Sequence, residues 1–401
     1  MQHYDVAIVG AGPAGSATAT FLAERGYSVA LIDRARFPRS KPCGEYVSPE
    51  ARRILDRLVA PGELAAEQPA MLEGMRVVSP DGTSFIGRFS ATHMYRGYSD
   101  QGIALPRSVL DLHLVQLARH RGATLLERTK LDSFDPPTSR SRTLYLRQGN
   151  RSFTISARLL VGADGIHSRV AKQLRVARRG ALNRVALVAH AIGVDGMQLL
   201  GEMHVIKQAY VGLAPVGRGL TNVSVVVDTK RQGIGGKPGE WFHRVIQEVP
   251  EVHQRLSKAE FVSPIVGAGP FARSSTRATA DRAVLVGDAA DFYDPFTGEG
   301  IYAALRGAEL VAELISPFLE SDQLDVRQLQ VYDQARRRDF RGKWLVERII
   351  AWAVGHPLAL NHVARRLKSK PELADLLVGV TGDFVPPSQV LRPGFTLQLV
   401  W

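Results

Sequence analysis

Apolar and polar residues fall in blocks along the start of the chain. Val6-Ala7-Ile8-Val9 is an unbroken apolar run, the pattern of a parallel strand buried on both faces. A glycine-punctuated turn follows. Residues 16–25 are then alanine-rich with Phe21 and Leu22 on one face, a helix that Gly26 ends. Residues 28–32 form a second apolar strand and deliver Asp33. Farther on, Leu110, Leu114 and Leu117 make one stripe of a helix over 109–121, closed by Gly122. Residues 144–146 and 153–161 read as the arms of a hairpin about Gly149-Asn150.

The period changes between about 183 and 266. Segments 185–192, 203–216 and 220–228 are β-rich, with Gly217-Arg218-Gly219 as a turn. Residues 283–286 are another buried strand running into Gly287-Asp288, and a helix is predicted from Gly298. Gly267-Ala268-Gly269-Pro270 reads as a plain loop, because Ala272 stands where a third glycine would and no helical pattern follows. From about 331 the pattern is mostly helical until Val385-Pro386-Pro387. These elements predict a mixed α/β chain. A discontinuous Rossmann-like nucleotide-binding domain takes residues 1–75, 101–182 and 267–330. A β-sheet substrate domain takes 76–100 and 183–266, and a helical C-terminal segment takes 331–401.

Composition narrows the class. At 401 residues with 45% apolar and 22% charged residues, the chain is globular. Cys43 is its only cysteine, which excludes a disulfide scaffold and any cysteine-clustered metal site and fits a reducing, cytoplasmic setting. No secretion signal is read before the first strand, and residues 349–363 are too short, and too interrupted by His356, Pro357 and Asn361, to span a membrane. The 51 Lys and Arg outnumber 39 Asp and Glu, leaving +12. That excess favours an acidic carrier protein, an anionic membrane surface or an anionic substrate. The basic clusters at 336–343 and 365–370 read as solvated helix faces. Without a helix-turn-helix, zinc finger or aromatic-plus-basic signature, nucleic acid is not an expected partner.

The first turn carries the clearest chemistry. In Gly10-Ala11-Gly12-Pro13-Ala14-Gly15, Gly10 makes the turn, Gly12 clears room for a pyrophosphate, and Gly15 lets helix and strand pack closely. The helix start offers free N–H groups to phosphate charge. Asp33 lies 23 residues after Gly10, where its carboxylate can accept ribose hydroxyls, with Arg34 beside it. The histidines show no metal-ligand spacing, and no metal is expected.

Together with this turn, Gly162-Ala163-Asp164-Gly165-Ile166-His167-Ser168 and Gly287-Asp288 through Pro295, Gly298, Glu299, Gly300 and Ile301 resemble the three flavin boxes of the FAD-dependent oxidoreductases typified by para-hydroxybenzoate hydroxylase. The resemblance implies bound FAD, with Asp288 at the ribityl chain and the helix start at 298–301 facing the isoalloxazine ring. A helix N-terminus there stabilises the negative charge of a reduced flavin. Arg107 holds the place where relatives bring an arginine to FAD; the alternative is a surface residue before a helix. Lys41-Pro42-Cys43-Gly44-Glu45 and Thr297-Gly298-Glu299-Gly300 are similar to the geranylgeranyl reductase branch. That branch carries Tyr-x-Trp-x-Phe-Pro along its prenyl channel, whereas this chain reads Tyr210-Val211-Gly212-Leu213-Ala214-Pro215 and lacks both bulky aromatics. None of the four tryptophans sits in the Trp-x-Trp-x-Ile-Pro box of flavin-dependent halogenases.

The resemblance and its departures lead to a monooxygenase: NAD(P)H reduces the flavin transiently, and a flavin hydroperoxide hydroxylates a hydrophobic aromatic or polyketide-type metabolite. A reductase of isoprenoid double bonds is the alternative, and a basic nucleic-acid-binding flavoprotein the remote one. Cys43 and Tyr210 are the catalytic candidates. Cys43 is either a thiol near the flavin or a small packed residue beside Gly44, and Glu45 either reaches the flavin edge or is solvated. His190, His204 and Tyr210 are each of a type that can take a proton from a phenol, and the sequence does not choose among them.

Overall fold

The computed structural model describes residues 1–59, 61–90, 94–230 and 237–400. Two eight-stranded sheets organise it. The first runs, in order, Thr279–Ala280, Ala283–Leu285, Arg151–Gly162, Gln2–Val9, Val29–Ile32 and Thr124–Leu126. The hairpin strand Arg142–Gln148 and its neighbour Thr129–Phe134 extend it. Gln2–Val9 is parallel to both neighbours, with Val6 opposite Val29 on one side and Leu159 on the other. Val6, Ala7 and Ile8 are wholly buried, as an all-apolar central strand with helices on its faces must be. The helix Pro13–Glu24 packs between Arg107–His120 and Gly300–Glu320.

The second sheet runs Glu260–Phe261, Arg184–Ile192, Leu220–Asp228, Ala209–Gly217, Leu200–Ile206, Gly74–Val78 and Ser84–Arg88. Side chains alternate across it. Leu187, Ala189, Val211, Val223 and Val225 pack under Trp241 and Phe242 of the helix Pro238–Gln247. The intervening residues Ala186, Val188 and Val226, with Tyr210, face the opposite way. On the two strands Gly74–Val78 and Ser84–Arg88, Val77 and Phe85 pack against Ala364, Leu367, Leu373 and Val380 of the C-terminal helices.

Three expectations are corrected. The segment taken as a plain loop contains a strand, Val266–Ala268, hydrogen-bonded to Arg184–Ile192 before Gly269 turns the chain at φ +124°. The helix predicted from Gly298 begins at Gly300, because Pro295–Thr297 is a 3₁₀ turn and Gly298 sits in the left-handed region at φ +74°. The long C-terminal helix starts at Val326 rather than near 331, since the Asp325 carboxylate accepts from Arg327 N and Gln328 N and fixes its first turn. Two short helices, Ser388–Leu391 and Pro393–Val400, follow the proline pair. No described helix is long and apolar enough to cross a membrane.

Candidate active site

The glycine turn is packed backbone against backbone. Gly10 has φ +102°, and a Cβ there would fall on the Ala163 carbonyl; one at Gly15 would fall on the carbonyl of Gly10. Gly12 is different. A Cβ on it would meet only Arg39 Nη2 at 3.5 Å and Arg107 Nη2 at 3.7 Å, so the space before it is open and faced by two guanidiniums. The helix Pro13–Glu24 has no side-chain cap at Gly12, which leaves its first N–H groups for a ligand. Asp33 is buried at the end of the next strand. Its Oδ2 accepts from Ala11 N and its Oδ1 from Ala35 N, both at 2.8 Å, and each oxygen keeps a lone pair. Arg34 beside it is exposed.

A groove opens in front of this turn. Its walls bring together Gly12, Pro13 and Ala14 with Cys43 and Gly44, Arg107, Ala163 and Gly165, and then Asp288, Pro295, Gly298, Gly300 and Ile301. Tyr210 reaches it from the second sheet. Gly10, Gly15, Asp33, Arg34, Asp164 and Gly287 do not line it. Asp164 accepts from Arg169 N at 2.6 Å and Val170 N at 3.3 Å, so it holds the start of the helix Arg169–Gln173. Gly287 lets its segment approach Ala14: a Cβ there would stand 3.0 Å from the Ala14 Cβ. Lys41 Nζ stands 3.9 Å from Asp288 Oδ2.

Arg107 is not a surface residue. It is 5% exposed, and its Nε and Nη2 donate to the two oxygens of Asp111 at 2.8 and 2.9 Å, with Arg39 sharing that carboxylate at 3.2 Å. Its backbone N donates to Glu45 Oε1 at 2.8 Å. Glu45 in turn is buried rather than solvated, at φ +60°. Its Oε2 accepts from Asn222 Nδ2 at 3.0 Å and lies 2.6 Å from His190 Nε2. The hydrogen bond to Glu45 raises the His190 pKa against the opposing effect of burial. His190 continues the face of Ala186 and Val188, both groove residues. Nothing in the spacing of Glu45 and His190 marks them as partners.

Tyr210 is engaged as a hydrogen-bond donor. It is 1% exposed and donates its hydroxyl to Asp294 Oδ1 at 3.0 Å, while Arg184 Nη1 holds Asp294 Oδ2 at 2.9 Å. Burial, with the Asp294 charge adding to it, pushes the phenol well above its ordinary range. His204 is buried against Glu202 at 3.0 Å and, with Glu251, forms the one cluster of potential metal ligands among the described residues. Its carboxylates already face Arg76 and Arg255. Burial opposes the Glu202 charge, but hydrogen bonds from His204 and Arg255 outweigh it and hold the acid down at about 2. The cluster reads as an ion-pair network.

Beyond Met203, which lines both spaces, the groove adjoins a cavity of about 560 Å³. Its walls are almost wholly apolar, from Val77 and Phe85 on the sheet, Phe296 at the groove edge, and Val346, Ile350 and Leu360 on the C-terminal helices.

The residues present fit FAD. Two helix starts without side-chain caps, at Gly12 and Glu299, face one groove; no Cβ fills the space before Gly12; and two guanidiniums point there to meet phosphate charge. Asp33 would hold the ribose and Asp288 the ribityl chain. Fold and groove together define a flavin-dependent oxidoreductase. Residues 3–343 match the family described as FAD binding domain, and the chain belongs to it, within the para-hydroxybenzoate hydroxylase-like superfamily. It is 29% identical to conditioned medium factor receptor 1 of Dictyostelium discoideum over 97% of this chain and 79% of that one. It is 27% identical to digeranylgeranylglycerophospholipid reductase of Methanospirillum hungatei over 86% and 83% of the two chains. The solved flavoprotein/dehydrogenase of Cytophaga hutchinsonii superposes with a TM-score of 0.86 over 100% of this chain and 98% of that one, at 19% identity, which is a likeness of fold alone.

Proposed function

We propose that the chain is an NAD(P)H-dependent monooxygenase that hydroxylates a hydrophobic phenolic metabolite carrying a long apolar chain. When bound, FAD supplies two-electron exchange between a nicotinamide donor and dioxygen. The chain's own residues do the rest. The apolar cavity takes the hydrocarbon tail and excludes water from it. The phenolic end lies toward the strand Arg184–Ile192, where Glu45 holds His190 at Nε2 and the phenol proton passes through the Ser263 hydroxyl to His190 Nδ1. The observation that carries this reading is the His190–Glu45 pair beside the groove. A phenol has a proton to give, and a plain hydrocarbon has none.

A second reading, reduction of isoprenoid double bonds, is favoured by the placement of Cys43 in the groove and by the likeness to the archaeal reductase. There His190 would act in the opposite sense, giving a proton to the substrate. The test is incubation of the reduced enzyme with long-chain phenols and prenyl lipids, reading product mass in air and under nitrogen. Gain of one oxygen atom, in air only, is the expected result. Gain of two hydrogens, undiminished under nitrogen, overturns it in favour of the reductase.

A further inference from the structure

A second cleft, of about 480 Å³, lies on the far side of the segment that carries Asp288. One wall is the small sheet formed by Ala177–Arg179, Arg273–Ser275 and Asp291–Phe292; the other is the long helix Val326–Val354. Asp288, Phe292, Glu299 and Gly300 belong to this cleft and to the flavin groove alike, so the two spaces share a partition.

Cations outnumber carboxylates on its walls, seven to five, with Asp288 and Glu299 among the acids. Arg273, Arg277, Arg337, Arg341 and Arg348 line it, and none of them has a carboxylate within 4.0 Å among the described residues. The other two cations, Arg336 and Lys343, are paired with Asp291 and Asp383. On the acidic side, Asp333 is engaged by Ala278 N and Thr279. Burial, reinforced by Asp294, raises the Glu347 carboxyl to about 8, which leaves it largely uncharged at neutral pH. Two wall atoms able to donate, Arg273 Nε and Ser275 Oγ, are buried and have no hydrogen-bond partner within the protein. Donors of this kind take a water or a ligand oxygen as partner. Phe292, Tyr293 and Trp344 add aromatic faces.

We propose that this cleft is the docking site of the reduced nicotinamide dinucleotide, which it holds by its phosphates, with the 2′-phosphate of NADPH meeting the unpaired arginines. The assignment rests on the reading of the chain as an NAD(P)H-dependent flavoenzyme. It answers a gap in that reading, because the chain has a single glycine-turn dinucleotide site and FAD fits it. The shared residues Asp288, Phe292, Glu299 and Gly300 place the dinucleotide phosphates beside the flavin groove, and the nicotinamide ring reaches past them into that groove to pass its hydride to the flavin, leaving NADP⁺. Arginine is suited to the task, since its fork matches phosphate oxygens in pairs.

The experiment is calorimetric titration of the FAD-loaded enzyme with NADP⁺, which binds without reducing the flavin. Wild type is expected to bind NADP⁺ more tightly than NAD⁺, with affinity falling as salt rises. In the double variant Arg277→Ala/Arg341→Ala the NADP⁺ Kd is expected to rise about tenfold or more, two charge-assisted contacts being lost. Flavin absorbance and photoreduction stay as in wild type, since both side chains are exposed and lie outside the groove. Equal NADP⁺ affinity in the two proteins overturns the proposal, as does the absence of NADP⁺ binding to wild type. Competition by inorganic phosphate at the same concentration as NADP⁺ also overturns it, making the cleft a simple anion site. Product formation by photoreduced enzyme bypasses the cleft, so failure here and failure of the hydroxylase reading are told apart.

Discussion

Glu45 Oε2 lies 2.6 Å from His190 Nε2 although 145 residues separate them. One residue stands two places after the sole cysteine at a left-handed backbone position, the other sits in a strand of the second sheet, and their contact ties the segment that carries Cys43 to that sheet at the edge of the flavin groove. Arg107 N and Asn222 Nδ2 complete the coordination of the carboxylate.

Because Glu45 raises the His190 pKa above 6.5, the folded state favours the imidazolium. The stabilisation is full below the unfolded value and is lost as pH rises through the folded one. The unfolding free energy of His190→Gln is expected to fall below that of wild type by about 1–2 kcal/mol near pH 6, and the gap to narrow at alkaline pH, above the raised value. An equal gap at both pH values would mean that packing, not charge, sets the cost. The same pair separates the two reactions. Hydroxylation needs the neutral imidazole, so kcat/KM should climb with pH through the raised value, whereas double-bond reduction by the imidazolium should decline.

Gly12→Val is expected to purify folded but with little flavin, because its side chain projects into open space before Arg39 and Arg107. Gly15→Ala should instead unfold the domain, since its Cβ meets the Gly10 carbonyl, a backbone atom that cannot move aside. Absorbance at the flavin band together with circular dichroism distinguishes the outcomes. A fully yellow Gly12→Val protein would remove the phosphate role from this turn.

Tyr210→Phe is expected to lower kcat by less than about tenfold while costing about 1–2 kcal/mol of stability, as Asp294 loses a buried donor. Urea unfolding beside steady-state kinetics reads both. A loss of about a thousandfold in kcat with unchanged stability would return the residue to the chemistry.

Ala353→Trp puts an indole into the apolar cavity below Met203. With long-chain substrates kcat/KM is expected to drop about tenfold or more, while short-chain analogues are turned over as before. An equal drop across chain lengths would place the tail elsewhere.

The local part of this protein was legible in its sequence. A strand, a glycine turn and a helix within 24 residues obey steric rules that operate between neighbours, so Gly10, Gly12, Gly15 and Asp33 could be assigned places before any fold was known. The three motifs and the change of period near residue 183 likewise announced a nucleotide-binding sheet and a second, β-rich one. Helix starts were read less well. Gly298 looked like a first helical residue, but its positive φ belongs to the turn before the helix, and a one-letter pattern does not distinguish the two uses of glycine.

What tertiary structure alone decided is which polar groups meet. Tyr210 is one of three candidate bases until the Asp294 carboxylate and full burial are seen beside it, and Glu45 reads as either flavin-facing or solvated until His190, Asn222 and Arg107 converge on it. Arg336, Arg337 and Arg341 read as part of a solvated helix face until the small sheet is seen across the cleft from them. Backbone conformation depends on residues a few places apart, and the sequence therefore determined it. Proton affinity and ligand charge depend on burial and on groups more than a hundred residues away, and only the folded chain brings those together.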